Sequence, residues 1–353
     1  MIYILNLFIN NIYNMKTLVI GDTHFQISNI IETEIFSNNL INYVKNNDLD
    51  CIIFLGDILN NHEKLHSSVL NKACDLFNNL RKYTKIYIIV GNHDMCNSSI
   101  FLTTEHWMNV LKEWENIEIV DKPIFKTISN LNFILCPYVP NGKFKEALSL
   151  LNYKSNNISA IFCHQEFYGC KMGAFNSIEG DVWEDNDIFI VSGHIHLNHK
   201  PQKNIYYPGS SLSVAFGENS KNIIAEIIFT DINSFPIIKE IDLKLPSKKI
   251  YYIDFEQMED FKIPFKKNIL DKIKLSINGT YEEFNSFKKS KKYKDLINND
   301  IKISFRLKNQ LKQNNDILND ISKTEHNFLD ILKNIITNEN NKYLDTIYEE
   351  LFV

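Results

Sequence analysis

Short apolar runs alternate with helix-like spacings along the first half of the chain. Three runs are almost wholly apolar and predict buried strands: residues 17–20 (TLVI), 51–55 (CIIFL) and 86–90 (IYIIV). The two segments between them, residues 30–46 and 64–82, place apolar side chains at the three- and four-residue spacing of amphipathic helices. Strands that alternate with helices in this way predict a layered α/β sheet.

The second half of the chain contains more strand-like runs and then changes composition. The runs are residues 117–120, 132–135, 159–163, 187–191, 204–207 and 223–229. After about residue 243 lysine becomes frequent, and residues 244–294 hold 13 lysines against seven acidic residues. Within this stretch, residues 272–284 predict a strand that ends in an Asn278-Gly279 turn. We therefore divide the chain into an N-terminal extension (1–14), a main α/β domain (15–243), a small basic domain (244–300) and a helical tail (301–353).

Composition and charge narrow the class of protein. With 44% hydrophobic and 12% aromatic residues, the 353-residue chain can bury a large core. The net charge of −5 argues against a generally basic nucleic-acid binder, but it leaves room for a local basic face. Six cysteines without a C-x-x-C pair predict reduced thiols and an intracellular location. Residues 1–14 are apolar but too short to span a bilayer, and they lack the basic start and cleavage site of a signal peptide. We therefore predict an N-terminal extension without membrane association, with a membrane anchor as the alternative.

Five polar clusters each follow an apolar run. They are Gly21-Asp22-Thr23-His24, Gly56-Asp57, Gly91-Asn92-His93-Asp94, His164 and Gly193-His194-Ile195-His196. Open α/β sheets bind their ligands at the carboxyl ends of strands, so we expect these side chains to meet at one edge. Carboxylate, amide and imidazole ligands together suit divalent manganese, iron or zinc rather than calcium. The absence of cysteine from the clusters argues against a structural zinc knot.

Each cluster alone has an ordinary structural explanation. Gly-Asp is a common turn, a single buried histidine is usually a core residue, and a His-x-His pair can face solvent. Five clusters at strand ends, in this order, instead predict a site for two metal ions. Asp57 stands alone in its cluster, which makes it the candidate to bridge both ions. His93 would act on the leaving oxygen as a general acid or as a cation, and Asp94 could orient it by accepting its second N–H.

As a set, these motifs resemble the signature of the calcineurin-like metallophosphoesterase superfamily, over about residues 15 to 230. The resemblance implies a sandwich of two mixed β-sheets flanked by helices, with residues 15–243 as the phosphoesterase domain. It implies two divalent ions, manganese first, with iron, zinc or magnesium as alternatives. One ion would be held by Asp22, His24, Asp57 and His196, and the other by Asp57, Asn92, His164 and His194. His93 would be the catalytic histidine.

Two further stretches resemble the SbcD-type DNA-repair and recombination nucleases and their phage relatives. In YYPGSSLSVAFGE (206–218) the matching residues are Tyr207, Gly209, Ser210, Phe216 and Glu218. In QEFYGCKMGAFNSIEGDV (165–182) they are Gly169, Ser177 and Glu179. A turn into a strand and an ordinary surface loop are the alternative explanations. His62 and His66 depart from that family, which commonly has an acidic and an aromatic residue after the second Gly-Asp motif.

That resemblance also implies partners. The basic stretch would be a capping domain that guides DNA toward the metals, with lysines on phosphates and neighbouring rings on bases. The rings are Phe261, Phe265, Tyr281, Phe287 and Tyr293. Apolar stripes within 328–336 and 343–352 would bind the coiled coil of an SbcC-type ATPase, and a homodimer is expected from the family. The alternatives are a solvated lysine-rich face and helices that pack on the chain's own domain.

The sequence therefore predicts a manganese-dependent phosphodiesterase that acts on DNA. Its expected role is that of an exonuclease or endonuclease subunit in recombination or double-strand break repair, in which metal-activated hydroxide attacks phosphorus. A first alternative is a phosphoesterase with a small-molecule, RNA or phosphoprotein substrate. A second is a scaffold subunit with a vestigial metal site, against which the intact ligand set argues.

Overall fold

The computed structural model describes residues 15–308, apart from 61–63, 155–156, 174, 218–220, 232–233 and 263–269, together with Ile336. The helices are α1 Ile30–Lys45, α2 Ser67–Leu80, α3 Phe144–Ser149, α4 Tyr281–Lys288 and α5 Lys291–Asn298. The strands are β1 Met15–Ile20, β2 Cys51–Phe54, β3 Lys85–Ile89, β4 Ile117–Val120, β5 Ile124–Ile128, β6 Leu131–Cys136, β7 Ala160–His164, β8 Lys171–Met172, β9 Phe175–Asn176, β10 Ile190–Gly193, β11 His199–Gln202, β12 Ile205–Tyr207, β13 Ile224–Phe229, β14 Ile237–Ile241, β15 Lys248–Asp254, β16 Lys272–Gly279 and β17 Ile301–Leu307. Among the described residues, no helix is long and apolar enough to cross a membrane.

Two six-stranded mixed sheets form the main domain. The first has the order β14-β13-β1-β2-β3-β4. Strands β1 to β4 are parallel, β13 runs antiparallel to β1, and β14 runs antiparallel to β13. The second has the order β11-β12-β10-β7-β6-β5, with the inner strands parallel and β5 and β11 antiparallel. The predicted mixed α/β sandwich is confirmed.

Alternation along the strands builds three apolar layers. In β1, Val19 packs between the two sheets with Phe133 and Val191, whereas Leu18 faces the other way, with Phe36 of α1. On the outer face of the second sheet, Phe144 and Ala147 of α3 pack with residues such as Ile134 and Ile161. Because successive side chains of a strand point to opposite faces, strands covered on both faces must be apolar throughout. The continuous runs in the sequence have this cause.

The C-terminal module is a separate three-stranded sheet with two helices on one face. Its strands β15, β16 and β17 are all parallel. Leu275 and Ile277 of β16 pack with Phe284 and Phe287 of α4 in a core of their own. Strand β17 pairs with β16 along its whole length, so the predicted helical tail cannot begin at residue 301. The predicted partner-binding stripes within 328–336 and 343–352 lie outside the described residues, except for Ile336.

The predicted Asn278-Gly279 turn is wrong. Gly279 ends β16, and helix α4 begins two residues later. The Thr280 hydroxyl accepts a hydrogen bond from the Glu283 amide at 3.3 Å, and the Glu283 carboxylate accepts one from the Thr280 amide at 2.7 Å. This Thr-x-x-Glu pattern is a capping box, which starts a helix. Parallel strands need a crossover rather than a tight hairpin, so the helix replaces the turn.

Candidate metal centre

The five polar clusters meet at one edge of the sandwich. Their positions are Asp22 and His24 after β1, Asp57 after β2, Asn92 to Asp94 after β3, His164 at the end of β7, and His194 and His196 after β10. Ligand atoms of Asp22, His24 and His196 lie within 4.8 Å of one another, and so do those of Asp57, His164 and His194. A third such group joins His24, Asp57 and His93. With Asn92, whose side-chain oxygen lies beside His164 and His194, all seven predicted ligands are close together.

The first metal position lies between Asp22, His24 and His196. Nε2 of His24 is 2.9 Å from Nε2 of His196, which in turn is 3.7 Å from Oδ2 of Asp22. Within the described part of the chain, two buried atoms here lack a hydrogen-bond partner, Oδ2 of Asp22 and Nδ1 of His24. A buried carboxylate oxygen without a donor is costly unless a cation binds it. These residues therefore fit a divalent ion.

The second metal position lies between Asp57, Asn92, His164 and His194. Oδ1 of Asn92 is 2.9 Å from Nε2 of His164 and 2.8 Å from Nδ1 of His194. Oδ2 of Asp57 is 3.3 Å from Nε2 of His164 and 3.7 Å from Nε2 of His24. Asp57 therefore faces both positions, which is the geometry that a bridging carboxylate needs.

Burial and mutual charge set the protonation of this cluster. Burial lowers the pKa of His24 to about 3, so its imidazole is neutral and can bind a metal through a lone pair. Burial alone would also lower the pKa of His164, but the charges of Asp57 and Asp22 outweigh it and raise that pKa to about 9. Burial likewise opposes ionisation of Asp57, yet His164 holds the pKa of Asp57 below its usual range. Asp57 is thus a carboxylate.

Three of the predicted ligands have backbone conformations that L-residues rarely adopt. The φ angle is 43° at His24, 50° at Asp57 and 77° at His194. Such conformations cost about 1–3 kcal/mol each and concentrate at functional sites, where the surrounding structure holds them. Here they turn the chain sharply after β1, β2 and β10 and bring the side chains into one space.

The glycines of the motifs make room for this cluster. A Cβ atom at Gly56 would lie 2.7 Å from Nδ1 of His164, and one at Gly193 would lie 2.7 Å from Oδ1 of Asp22. Real Cβ atoms do not approach other atoms so closely, so either substitution would displace a predicted ligand. The Gly-Asp and Gly-His patterns therefore follow from close packing around the centre.

His93 and Asp94 have different surroundings from those predicted. Nδ1 of His93 lies 2.8 Å from the Asn60 carbonyl oxygen, and its ring centroid lies 4.9 Å from that of His24. Asp94 instead accepts hydrogen bonds from the Gly91 amide at 3.1 Å and the Trp107 indole at 3.0 Å. The prediction that Asp94 orients the His93 ring is wrong. Asp94 holds the Gly91–Asp94 loop in place, and Asn60 orients the ring.

Sequence reasoning missed Glu166 and Asn60. Oε2 of Glu166 lies 3.9 Å from Nε2 of His194. Glu166 is two residues after His164, so the alternation of an extended segment could have drawn attention to it. Nothing in the sequence marks Asn60, because it acts through its backbone carbonyl. Of the two unexpected histidines, His66 is exposed at the start of α2, hydrogen-bonded to Ser68, and His62 lies outside the described residues.

Residues of the segment 206–218 make hydrogen bonds to the backbone next to predicted metal ligands. Tyr207 is fully buried, and its hydroxyl donates to the Gln165 carbonyl and accepts from the Phe167 amide, both at 3.0 Å. Ser210 is also fully buried, and the Ser211 amide donates to the Asp22 carbonyl at 3.0 Å. These contacts fix the strand ends that carry the ligands. Phe216 is half-buried, and Glu218 lies outside the described residues.

Comparison with known families decides the identity of the fold. A sequence model of calcineurin-like phosphoesterases matches residues 15–230, the segment that carries every predicted ligand. The chain belongs to this family. Its chemistry is therefore the hydrolysis of phosphoesters with divalent metal ions, for which the clustered ligands provide the site.

Two viral proteins are similar over most of the chain. "Putative phosphoesterase 244L" of Invertebrate iridescent virus 6 is 42% identical over 281 residues, 79% of this chain and 99% of that protein. "Putative phosphoesterase 078R" of Invertebrate iridescent virus 3 is 38% identical over 321 residues, 90% of this chain and 91% of that protein. Among solved structures, purple acid phosphatase PPD1 from yellow lupin (Lupinus luteus) seeds aligns with a TM-score of 0.43 and 11% identity, over 65% of this chain and 52% of that one. That distant structural likeness carries no argument.

Proposed function

We propose that this phosphoesterase is a two-metal phosphodiesterase that cuts DNA, as a nuclease subunit in recombination or double-strand break repair. Manganese is the ion we expect at both positions, because carboxylate, amide and imidazole ligands together suit it. The observation that carries the choice of DNA is a positively charged face of the C-terminal sheet, turned toward the segment that holds His24. The names of the two viral relatives do not specify a substrate.

This basic face follows from the strand register. Lys248 pairs with Lys272, and Lys274 pairs with Lys302, so their side chains share one side of the sheet. Arg306, opposite Asn278, lies on the same side. The alternate residues, such as Leu275, point to the helices on the other side. We call the set Lys248, Lys272, Lys274, Lys302 and Arg306 the basic face.

Contacts with the phosphoesterase domain define where the basic face lies. Nζ of Lys272 is 2.5 Å from Oε1 of Glu32 and 3.2 Å from the Ser28 carbonyl oxygen. Ser28 is four residues beyond His24, and the Asn29 side chain donates to the His24 carbonyl at 3.0 Å. The basic face therefore borders the segment that carries a predicted metal ligand.

The other end of the basic face contacts the segment that follows Tyr207. Nζ of Lys248 donates to the Val214 carbonyl at 2.7 Å, and Nζ of Lys302 lies 5.7 Å from the ring centroid of Phe216. These contacts place the basic face against the segments that follow β1 and β12 of the phosphoesterase domain. A phosphate backbone is the ligand that such a row of cations binds best.

Aromatic side chains suited to bases accompany these cations. Tyr252 is 60% exposed on the basic face, with the Arg306 guanidinium 4.8 Å from its ring centroid. Of the rings predicted to stack on bases, Phe287 belongs to the module's own core and Phe261 and Tyr293 pack against that core. Tyr281 is exposed on α4, the helix side of the sheet, and Phe265 lies outside the described residues. Stacking on exposed rings and charge on phosphates together favour nucleic acid over a small phosphoester.

The residues of the centre divide the chemistry between them. When bound, the two ions would polarise the phosphate and lower the pKa of the attacking water. Asp57 faces both predicted metal positions, and the other ligands would hold the ions at those positions. His93, held by the Asn60 carbonyl beside the centre, would donate a proton to the leaving ribose oxygen. The backbone amide of His93 donates to Oδ1 of Asp57 at 2.8 Å, and this hydrogen bond fixes the general acid relative to the bridging carboxylate.

The experiment is manganese-dependent cleavage of end-labelled linear duplex DNA, beside end-labelled RNA, bis-p-nitrophenyl phosphate and p-nitrophenyl phosphate. Lys274→Ala with Arg306→Ala removes charge from the basic face, and Lys289→Ala with Lys294→Ala is the matched control, with one lysine directly after α4 and one on α5. We expect only the first pair to weaken DNA cleavage. It should also reduce the slope of log DNA affinity against log salt concentration by about one to two, since each phosphate contact contributes about one to that slope. Hydrolysis of the small diester should not change.

Two outcomes would refute cleavage of DNA as the function. Rapid hydrolysis of the monoester with intact DNA would point to a small-molecule or phosphoprotein substrate. Preferential cleavage of RNA would point to a ribonuclease. No hydrolysis of any substrate by protein loaded with two ions would favour the scaffold alternative. The SbcC-type ATPase and the homodimer stay predictions, and adding such an ATPase is the additional arm in that last case.

A further inference from the structure

Glu166 is a buried carboxylate between a predicted metal ligand and a surface loop. It is only 8% exposed, and its Oε2 lies 3.9 Å from Nε2 of His194, which is an ion-pair distance. Its other oxygen, Oε1, accepts a hydrogen bond from the Ser177 hydroxyl. The Asn141 side chain donates to Oε2 at 3.4 Å. Both oxygens of Glu166 therefore have partners, one on the loop and the other beside His194.

We propose that Glu166 is a positioning residue that fixes the His194 ring for the second metal ion and connects it to the loop at residues 168–182. The proposal rests on the two-metal centre of the proposed function, but not on DNA as the substrate.

The orientation of the His194 ring supports this role. Its Nδ1 faces Asn92 at 2.8 Å, inside the second metal position, which leaves Nε2 on the side of Glu166. An imidazole that binds a metal through one nitrogen usually donates from the other to a carboxylate or carbonyl, which fixes its tautomer. His164 has such a partner already, because its Nδ1 lies 2.7 Å from the Leu55 carbonyl oxygen. Glu166 is the carboxylate on the corresponding side of His194, at ion-pair rather than hydrogen-bond distance.

Ser177 connects Glu166 to an exposed apolar loop. The Ser177 amide donates to the Cys170 carbonyl, and its carbonyl accepts from the Gly169 amide, both at 2.8 Å. These bonds close the short hairpin of β8 and β9, whose Phe175 is 78% exposed. Because the same serine donates to Glu166, a displacement of the loop would move the carboxylate that lies beside His194.

Metal affinity measured by calorimetry on metal-free protein tests the proposal. Glu166→Gln keeps the shape but removes the charge, so the second Mn²⁺ should bind about 10- to 100-fold more weakly while the first binds as in the wild type. Glu166→Asp should recover part of this loss, and Ser177→Ala should weaken the second ion by a smaller factor. Glu179→Gln, an exposed glutamate of the same loop, is the matched control and should change neither constant.

The absorption spectrum of the Co²⁺-substituted protein adds a readout that a general loss of stability would not alter. We expect Glu166→Gln to shift the bands of the second ion only. Unchanged affinity and spectrum in folded Glu166→Gln would overturn the proposal. So would complete loss of one metal equivalent, because Glu166 would then be a ligand itself. A wild type that binds fewer than two ions would overturn the metal centre, whereas intact binding without DNA cleavage would refute only the nuclease.

Discussion

The two metal positions share Asp57 but are built differently. At the first, Oδ2 of Asp22 and Nδ1 of His24 are buried and, among the described residues, have no hydrogen-bond partner. At the second, the Leu55 carbonyl lies 2.7 Å from the His164 ring, and Glu166 lies beside the His194 ring. The first position therefore depends on a cation to satisfy its buried groups, whereas protein atoms already orient the second. Substitutions should separate the two by their effects on stability without metal.

The shared carboxylate should give the largest effect. Asp57→Asn removes the negative charge that faces both positions, so both ions should bind weakly. Diesterase activity should fall by about a thousandfold or more, corresponding to about 4 kcal/mol of lost transition-state stabilisation. Rates on bis-p-nitrophenyl phosphate at saturating Mn²⁺ measure this effect. Retention of a tenth of the activity would mean that Asp57 does not bridge two ions.

His93→Ala should separate chemistry from metal binding. His93 lies beside the centre without being one of the predicted ligands, so both ions should still bind. The turnover rate should fall by about 10²- to 10⁴-fold, the usual contribution of a general acid. Metal stoichiometry and turnover are measured on the same sample. Loss of an ion in this variant would make His93 a ligand, as its proximity to His24 and Asp57 allows.

The contrast between the positions predicts unequal stability changes in metal-free protein. Asp22→Asn should change the free energy of unfolding by less than about 1 kcal/mol, because relief of a buried charge with an unpaired oxygen opposes the loss of its attraction to His164. His164→Ala should lower it by about 3 kcal/mol, because it leaves a cavity and an unpaired Asp57. Chemical denaturation in excess chelator measures both, with the exposed Glu179→Gln as the reference. Equal losses in the two variants would show that the two metal positions do not differ in their dependence on a cation.

A smaller effect is expected from the glycine that separates the two positions. Gly193→Ala would bring a Cβ atom 2.7 Å from Oδ1 of Asp22 and 2.8 Å from Nδ1 of His164. We expect a loss of about 1–3 kcal/mol in stability and weaker binding of both ions. Gly142→Ala is the control, because no heavy atom among the described residues lies within 4 Å of its added Cβ, although its φ of 80° adds some strain. Wild-type metal affinity in Gly193→Ala would show that the close packing does not position the ligands.

The sequence was informative where a strand ended abruptly in polar residues. Strands that are buried on both faces are continuous apolar runs in the sequence, so a change to polar residues marks where each strand ends. The ends of β1, β2, β3, β7 and β10 can be predicted in this way, and the seven predicted ligands lie at these ends. Contacts between distant segments were not visible. The partners of Asp94 and Glu166 depend on Trp107 and Ser177, whose positions only the folded chain determines.

The C-terminal module was predicted less well for a related reason. Its lysines were evident from composition, but their common face depends on the parallel register of β15, β16 and β17. Strand β17 begins at residue 301, where composition had indicated the start of a tail. Thr280 and Glu283 form a capping box, which predicts the start of helix α4. The preceding Asn-Gly pair instead indicates a turn, and this competing pattern led to the wrong prediction.

The central claim is that five strand ends form one centre for two ions that share Asp57. Anomalous diffraction at the manganese edge, from crystals grown with Mn²⁺, tests it most directly. We predict two peaks about 3.5–4 Å apart, one on each side of Asp57. The first should lie against Asp22, His24 and His196, and the second against Asn92, His164 and His194. A single peak, or two peaks of which neither contacts Asp57, would contradict the account.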